Sequence, residues 1–272
     1  MILLNNFKYS ILYNFKKLNY RFILFFVLSI QVVIYFIMKE YWELNPYINT
    51  TYNNWDFYSS AYMNSDLLVS TLFFFSLYFI FNCFKDSDNE RLIQIRTKST
   101  FKWFSFKIAS IFIFNSIISV FCNLYLIIIG IYKMGYGFTW SEKSRAIYVY
   151  SDFYSPQRIV FFNIITYSVF VTVLSCVLGI LFIKIKNKKI PLIISIIYFI
   201  LDKYVFRLSD KILKIIKYLS LNSYLIFNNR QFYKYENNYM TVKLGLIVPI
   251  ILLGVLLILS KILISGKSCE NY

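Results

Sequence analysis

Hydrophobic residues in this chain are gathered into six runs, separated by stretches rich in polar and charged residues. An α-helix needs about 17–25 mostly apolar residues to cross roughly 30 Å of bilayer hydrocarbon. The pattern therefore predicts an all-α, polytopic membrane protein with six transmembrane helices. The predicted spans are residues 22–38, 67–84, 108–132, 159–183, 190–206 and 244–264. Asp202 and Lys203 interrupt the fifth run after 12 largely apolar residues, so five spans are the alternative.

Two stretches outside these runs have the period of an amphipathic helix. In residues 1–20 an apolar stripe predicts an N-terminal interfacial helix on the inner leaflet. The stripe consists of Phe7, Ile11, Leu12, Phe15 and Leu18. In residues 203–243 basic residues recur every three or four positions among aliphatic ones, which predicts an extracellular helical insert at the membrane surface between spans 5 and 6. The basic positions are Lys203, Arg207, Lys211, Lys214 and Lys217.

Composition and charge agree with a membrane protein. Apolar residues make up 58% and charged residues 15%, whereas soluble domains hold about 45–50% and about 25%. The net charge is +16, but the basic residues cluster at the ends of apolar runs, where they anchor helices. We therefore expect the lipid bilayer, and not nucleic acid, to be the partner of this charge.

The distribution of Lys and Arg predicts the orientation of the chain. Of 29 such residues, 16 fall in the segments that are inside when the N-terminus is cytoplasmic, and 5 fall in the first two outer loops. The remaining eight lie in the third outer loop, 202–243, and break this trend. The inner segments are 1–21, 84–107, 183–190 and 261–272, and the first two outer loops are 39–66 and 132–158. Both termini are thus expected in the cytoplasm. Abundant Phe, Tyr, Ile, Asn and Lys suggest an AT-rich bacterial genome, hence a bacterial cell membrane.

The residues needed for enzyme chemistry are missing. The chain has no His, which excludes zinc metalloprotease motifs and Ser-His-Asp or Cys-His catalytic sets. Gly266-Lys267-Ser268 has the ending of a phosphate-binding loop, but Lys261 stands where that loop needs a glycine. The four cysteines show no C-x-x-C spacing. We expect no catalytic residue, no metal ligand and no cofactor bound by this chain.

Uncharged polar residues inside the spans are candidate functional positions. Asn115, Ser119 and Asn123 fall on one face of the third span. A row of small residues in the fourth span comprises Ser168, Thr172, Ser175 and Gly179. Such residues favour close helix packing and shared hydrogen bonds. The alternative is that Asn115, Asn123 and Asn163 line a substrate route.

The spans contain no sign of a self-powered carrier or a channel. A proton-coupled carrier usually holds an ionisable residue near the middle of the membrane, and a channel holds a filter or a charged ring. Neither is evident in the sequence. Energy for uphill transport would have to come from another subunit.

The hydrophilic segment 85–107 lies between two of the most apolar runs and holds nine charges in 23 residues. Acidic Asp86, Asp88 and Glu90 come first and basic residues follow, which suits a helix macrodipole. Leu92 and Ile93 begin an apolar patch. A short amphipathic helix of this kind can dock in a groove of another protein; a solvated connecting loop is the alternative.

This layout resembles the membrane subunit of ABC transporters of the type-2 exporter class. In that family the loop after the second span begins with an acidic residue, continues as a short helix and a polar turn, and reaches a Lys at the mouth of the third span. The stretch DNERLIQIRTKSTFKWFSFKI is similar, with Glu90, Thr97-Lys98-Ser99 and Lys107 at these places. The family's usual Gly after the acid and Pro in the turn are absent.

The resemblance implies a transport subunit that is not itself an enzyme. Two permease subunits, identical or different, would pair in the membrane, and each would bind a separate ATP-binding subunit that holds ATP and Mg. Segment 86–100 would be the coupling helix. Its expected coupling residues are Glu90, Arg91, Arg96, Thr97, Lys98 and Lys107.

The expected cargo is an amphipathic peptide, an antibiotic or a lipid-like molecule, handled for export or self-immunity. The alternative is a stand-alone immunity or sensor protein that binds a peptide through its outer loops, above all the aromatic stretch 41–62.

Overall fold

A computed structural model describes residues 2–44, 53–63, 66–85, 97, 99–141, 154–185, 187, 189–205 and 242–265. These residues contain eight α-helices and no β-strand. In chain order the helices are α1 Ile2–Lys16, α2 Tyr20–Leu44, α3 Asn54–Met63, α4 Asp66–Phe84, α5 Thr100–Met134, α6 Pro156–Lys184, α7 Lys189–Val205 and α8 Val242–Ser265. The predicted all-α fold class is confirmed for the described part of the chain.

Four of the described helices are long and apolar enough to cross a membrane. The crossing stretches are Tyr20–Lys39, Thr100–Met134, Pro156–Lys184 and Leu246–Ile264, in α2, α5, α6 and α8. They contain or overlap the predicted spans 1, 3, 4 and 6. This is the architecture of an α-helical membrane protein.

The second and fifth predicted spans correspond to shorter helices. The apolar part of α4 is Leu68–Phe84, and α7 has 17 residues. At 1.5 Å per residue, 17 residues extend about 26 Å, slightly less than the roughly 30 Å hydrocarbon core. The total of six spans therefore stays a prediction.

The centre of the fold is formed by α4, α5 and α6. Paired side chains run in opposite order along α4 and α5: Phe79 stacks on Phe114 at 4.0 Å between ring centroids, and Phe84 lies near Trp103. The two helices are therefore antiparallel. In the most apolar 18 residues of α6, 67% of the residues are buried, whereas in those of α8 only 17% are. The helix α6 is therefore central, and α8 presents most of its apolar surface outward.

The helix α3 was not predicted. It lies in the loop 39–66, and it starts with reciprocal capping bonds: the Trp55 N–H donates to Asn53 Oδ1 at 3.0 Å, and the Asn53 N–H donates to Asp56 Oδ2 at 2.8 Å. These bonds satisfy amide groups at the first turn of the helix. Trp55, Phe57 and Tyr58 are all buried. A segment expected as an outer loop is thus partly a buried helix.

The N-terminal helix α1 packs along the first half of α5. Phe7 meets Phe106 edge-on at 5.3 Å, and Phe15 lies 6.3 Å from Phe114. The amide of Asn14 donates to Ser110 Oγ at 3.0 Å in a buried contact. The predicted apolar stripe is therefore divided: Phe7 and Phe15 face α5, while Leu12 is exposed.

Candidate functional site

Several predicted site residues lie outside the described part of the chain. Among the coupling residues these are Glu90, Arg91, Arg96 and Lys98. Among the predicted surface basic residues they are Arg207, Lys211, Lys214 and Lys217. Lys203 belongs to α7, but its side chain is not among the described ones. These assignments stay predictions, and the site has to be built from the residues around them.

The charged segment leaves α4 at a helix end that two lysines stabilise. The Lys107 ammonium, from α5, donates to the carbonyl oxygen of Cys83. The Lys17 ammonium, from the α1–α2 connection, donates to the carbonyl oxygen of Asn82 at 3.1 Å. The last carbonyls of a helix lack partners within it and carry its negative dipole end, so cations here stabilise it.

The Lys107 side chain is held inside the protein, with 1% of its surface exposed. Its ammonium lies 4.4 Å from the ring centroid of Trp103 and 5.3 Å from that of Phe84. Aromatic faces attract a cation most strongly where water is excluded. The predicted Lys at the mouth of the third span is therefore a buried link between α4 and α5.

The other end of the segment is also fixed. Thr97 is buried, and its hydroxyl donates to the carbonyl of Ser99 at 3.3 Å. Ser99 is the N-cap of α5 and accepts from the Lys102 N–H with its side chain. Thr97, one of the predicted coupling residues, is thus bound to the N-cap residue of α5, and residues 86–96 connect two anchored ends.

The three candidate asparagines are all buried between helices, in two polar clusters. The Tyr58 cluster consists of Tyr58, Asn123 and Asn163. The Tyr58 hydroxyl donates to Asn123 Oδ1 and accepts from Asn163 Nδ2 at 3.2 Å. Asn123 Nδ2 donates to the Ser119 carbonyl at 2.7 Å. One hydroxyl therefore joins α3, α5 and α6.

The Ser76 cluster consists of Ser76, Asn115 and Tyr167. Ser76 Oγ lies 2.6 Å from Asn115 Oδ1 and 2.8 Å from the Tyr167 hydroxyl. It joins α4, α5 and α6. Along the axis of α5, Asn115 and Asn123 lie about 12 Å and about 24 Å from Lys107, at 1.5 Å per residue. Both clusters are therefore at depths that fall within the third predicted span.

Two amide atoms of these clusters retain bonding capacity. Asn115 Nδ2 and Asn163 Oδ1 are buried and have no hydrogen-bond partner among the described residues. Buried polar atoms are usually paired with protein or ordered water. The other amide contacts are those expected of helix packing. The hypothesis that the three asparagines line a substrate route stays a prediction, and the two unpaired atoms are compatible with it.

The start of α3 is bound to the chain just after α5, and we call this set of contacts the α3 lock. Trp55 Nε1 donates to the Gly137 carbonyl at 2.6 Å, and the Gly137 N–H donates to Asn54 Oδ1 at 2.8 Å. The Ser141 hydroxyl donates to Asp56 Oδ1 at 2.6 Å. A Cβ on Gly137 would lie 2.4 Å from the Asn53 side-chain amide, so a larger residue at this position would displace that side chain. The lock joins the two loops predicted to be on the outer side.

The hydroxyl groups on the small-residue face of α6 bond within their own helix, whereas the sequence predicted hydrogen bonds shared between helices. The hydroxyls of Ser168, Thr172 and Ser175 each donate to the carbonyl four residues earlier in α6, at 2.6–2.7 Å. A hydroxyl in an apolar interior can satisfy itself on its own helix in this way. Close packing instead occurs at Gly179, where an added Cβ would lie 2.6 Å from the ring of Phe84.

Within the described ranges no group of three or more His, Cys, Asp or Glu side chains is arranged to hold a metal ion. Comparisons with protein-family models, with curated proteins and with solved structures find no match to this chain. The functional argument therefore depends on the residues of the chain alone.

Sequence reasoning missed Tyr58, Ser76, Tyr167 and Lys17 as site residues. A signal existed for Tyr58, because Asn53-Asn54-Trp55-Asp56 has the spacing of a helix-capping box. It would have predicted α3 and placed Tyr58 one turn inside it. No local signal distinguishes Ser76 from other span serines, since its partners come from distant parts of the chain.

Proposed function

We propose that this chain is the membrane-spanning permease subunit of an ATP-driven ABC transporter, with α2, α4, α5, α6, α7 and α8 as its six spans. The observation that carries the proposal is the anchoring of the charged segment. Residues 86–96 leave α4 at a lysine-capped end and return to α5 at a side-chain cap. A short docking element fixed at both ends can transmit force to the two helices that hold it.

The contacts of α4, α5 and α6 support movement of these helices as one body. Phe84 stacks on Phe182 of α6 at 5.8 Å with parallel rings, and Phe79 stacks on Phe114 of α5. Packed interiors resist gradual deformation, so a push at one end shifts the whole group. In this proposal ATP closes the partner ATPase pair, and the segment passes that motion to α4 and α5.

The α3 lock supplies the opposite end of the mechanism. The 35 residues of α5 extend about 52 Å from the coupling segment to the lock. A shift of α5 relative to α3 would break the Tyr58 cluster and expose its amide groups between helices. We infer that the cargo, an amphipathic peptide, antibiotic or lipid-like molecule, passes along Asn115, Asn123 and Asn163 in that state.

The test is a pair of charge reversals, Glu90→Lys and Arg91→Glu, in the full chain co-expressed with the ATP-binding subunit that this proposal requires. We expect both variants to lose co-purification of that protein and the ATP turnover of the complex. Lys189→Glu is the matched control, because Lys189 is exposed at the start of α7 in another segment predicted to be cytoplasmic. If the complex and its turnover survive both reversals, the coupling assignment is wrong.

The alternative of a stand-alone immunity or sensor protein relies on the aromatic stretch 41–62 as a binding surface. In the described part of that stretch, Trp55, Phe57 and Tyr58 have at most 3% of their surface exposed. These three rings are not available to a peptide in this state, which weighs against them as the binding surface of the alternative. An ATPase gene next to this one would support the permease, and its absence would support the alternative.

A further inference from the structure

An apolar groove of about 250 Å³ runs along the surface between α5 on one side and the end of α1 with the first turns of α2 on the other. Leu18, Phe22 and Val27 line one side, and Phe114, Ile117 and Phe121 line the other. No polar surface contributes to the lining. Ile117 has 54% of its surface exposed, so the groove opens away from the helix core and toward the surrounding medium.

The dimensions of the groove select the kind of occupant. From Phe114 to Phe121 the groove follows α5 for about 10 Å. Over this length a helix about 10–12 Å wide would occupy about 1,000 Å³, several times the roughly 250 Å³ of the groove. An α-helix with side chains is about 10–12 Å wide and does not fit. A single hydrocarbon chain does, and the bilayer supplies such chains at this surface.

The charge next to the groove selects the headgroup. Lys16, Lys17 and Arg21 each lie within two residues of Leu18 or Phe22 along the chain. The Lys16 and Arg21 side chains are exposed, and the Arg21 guanidinium lies against the Tyr20 ring. Basic residues at a membrane surface attract anionic lipids, and their apolar stems lie along hydrocarbon while the charge reaches the headgroups.

We propose that this groove is a binding site for an anionic phospholipid. One acyl chain lies between Phe22 and Phe121, and the phosphate contacts Lys16 and Arg21. The site does not depend on the transport activity proposed above, because its contacts belong to α1, α2 and the lipid-facing side of α5.

The test is native mass spectrometry of the purified full chain after incubation with equal amounts of phosphatidylglycerol and phosphatidylcholine carrying the same acyl chains. We expect preferential retention of phosphatidylglycerol. Arg21→Gln should weaken that retention about fivefold, the effect of roughly one cation near an anionic surface. Lys133→Gln is the charge control, since Lys133 is exposed near the other end of α5.

A second pair of variants tests the groove itself. Ile117→Trp fills it and should abolish tight retention of phosphatidylglycerol, whereas Leu124→Trp, at a similarly exposed position of α5 outside the lining, should not. Equal retention of both lipids by the unaltered chain overturns the choice of headgroup. Unchanged retention by Ile117→Trp overturns the groove as a lipid site. So does a change in the oligomeric state of that variant without a change in bound lipid, which would assign the groove to a second copy of the chain.

Discussion

A single tyrosine hydroxyl is the point at which three helices share a polar contact. Tyr58 OH bonds Asn123 and Asn163 in a site with no exposed surface on Tyr58 or Asn123. In a membrane interior, amide groups without partners are unfavourable, because no water replaces a lost bond. The position of α3 is therefore coupled to two asparagines on separate spans.

Tyr58→Phe removes that hydroxyl and keeps the ring. We expect a loss of about 1 kcal/mol in stability, because both asparagines lose a bond while the packing is retained. The measurement is the Tm of the purified protein in detergent, compared with Tyr132→Phe, whose parent tyrosine is 83% exposed. A Tm for Tyr58→Phe equal to that of the control would contradict the role of the cluster.

For the three asparagines, the sequence predicted the positions but not the hydrogen-bond partners. Their polarity inside apolar runs identified Asn115, Asn123 and Asn163 as special from the sequence. Their partners Ser76 and Tyr58 are separated from them by 39 and 65 residues. Such contacts depend on how the helices meet, which no local pattern contains.

At the scale of elements, the long apolar helices were predicted and the short buried helix was not. Hydropathy identifies α5 and α6 because their lengths exceed the bilayer requirement. The ten residues of α3 are mixed in polarity and fall below that length. Its helix is stabilised by the capping at Asn53 and by packing on α5, and Gly130 fits only because it has no Cβ, which would lie 2.9 Å from the Asn54 carbonyl.

Two glycines in predicted spans provide a matched test of helix packing. Gly179→Ala should destabilise the protein by about 1–3 kcal/mol, because the new Cβ would lie 2.6 Å from Phe84 and 2.7 Å from Phe104. Gly254→Ala should stabilise it by up to about 1 kcal/mol, since nothing lies within 4 Å and alanine favours a helix. Urea or thermal unfolding in detergent measures both. Shifts of the same sign and size would show that the α6–α4–α5 contact is not tightly packed.

At the scale of the whole molecule, charge predicts the orientation, and the contacts of α5 hold the helices together. One helix contacts α1 through Phe106, α4 through Phe114, and α3 and α6 through Asn123 and its partners. The cationic caps at Asn82 and Cys83 lie at one end, and the α3 lock lies at the other. The proposed transporter uses these two ends on opposite sides of the membrane.

The orientation is testable with single cysteines in a Cys269→Ser background, in which Cys83, Cys122 and Cys176 are buried. We expect a membrane-impermeant maleimide to label Lys133→Cys in intact cells and to label Lys98→Cys only after the cells are opened. Labelling of Lys98→Cys from outside would place the charged segment on the wrong side for any contact with a cytoplasmic ATPase.

The sequence by itself determined the all-α class, the apolar runs that include the four long helices, and the polar positions within them, because hydrophobic length and period are local properties of a chain. Its total of six spans stays a prediction. Only the tertiary structure decided that Lys107 of α5 is buried against the end of α4, that α3 lies along α5, and that the asparagines meet Tyr58 and Ser76. These contacts arise from the angles and registers at which helices pack, and a buried polar atom takes whichever partner that packing brings within reach.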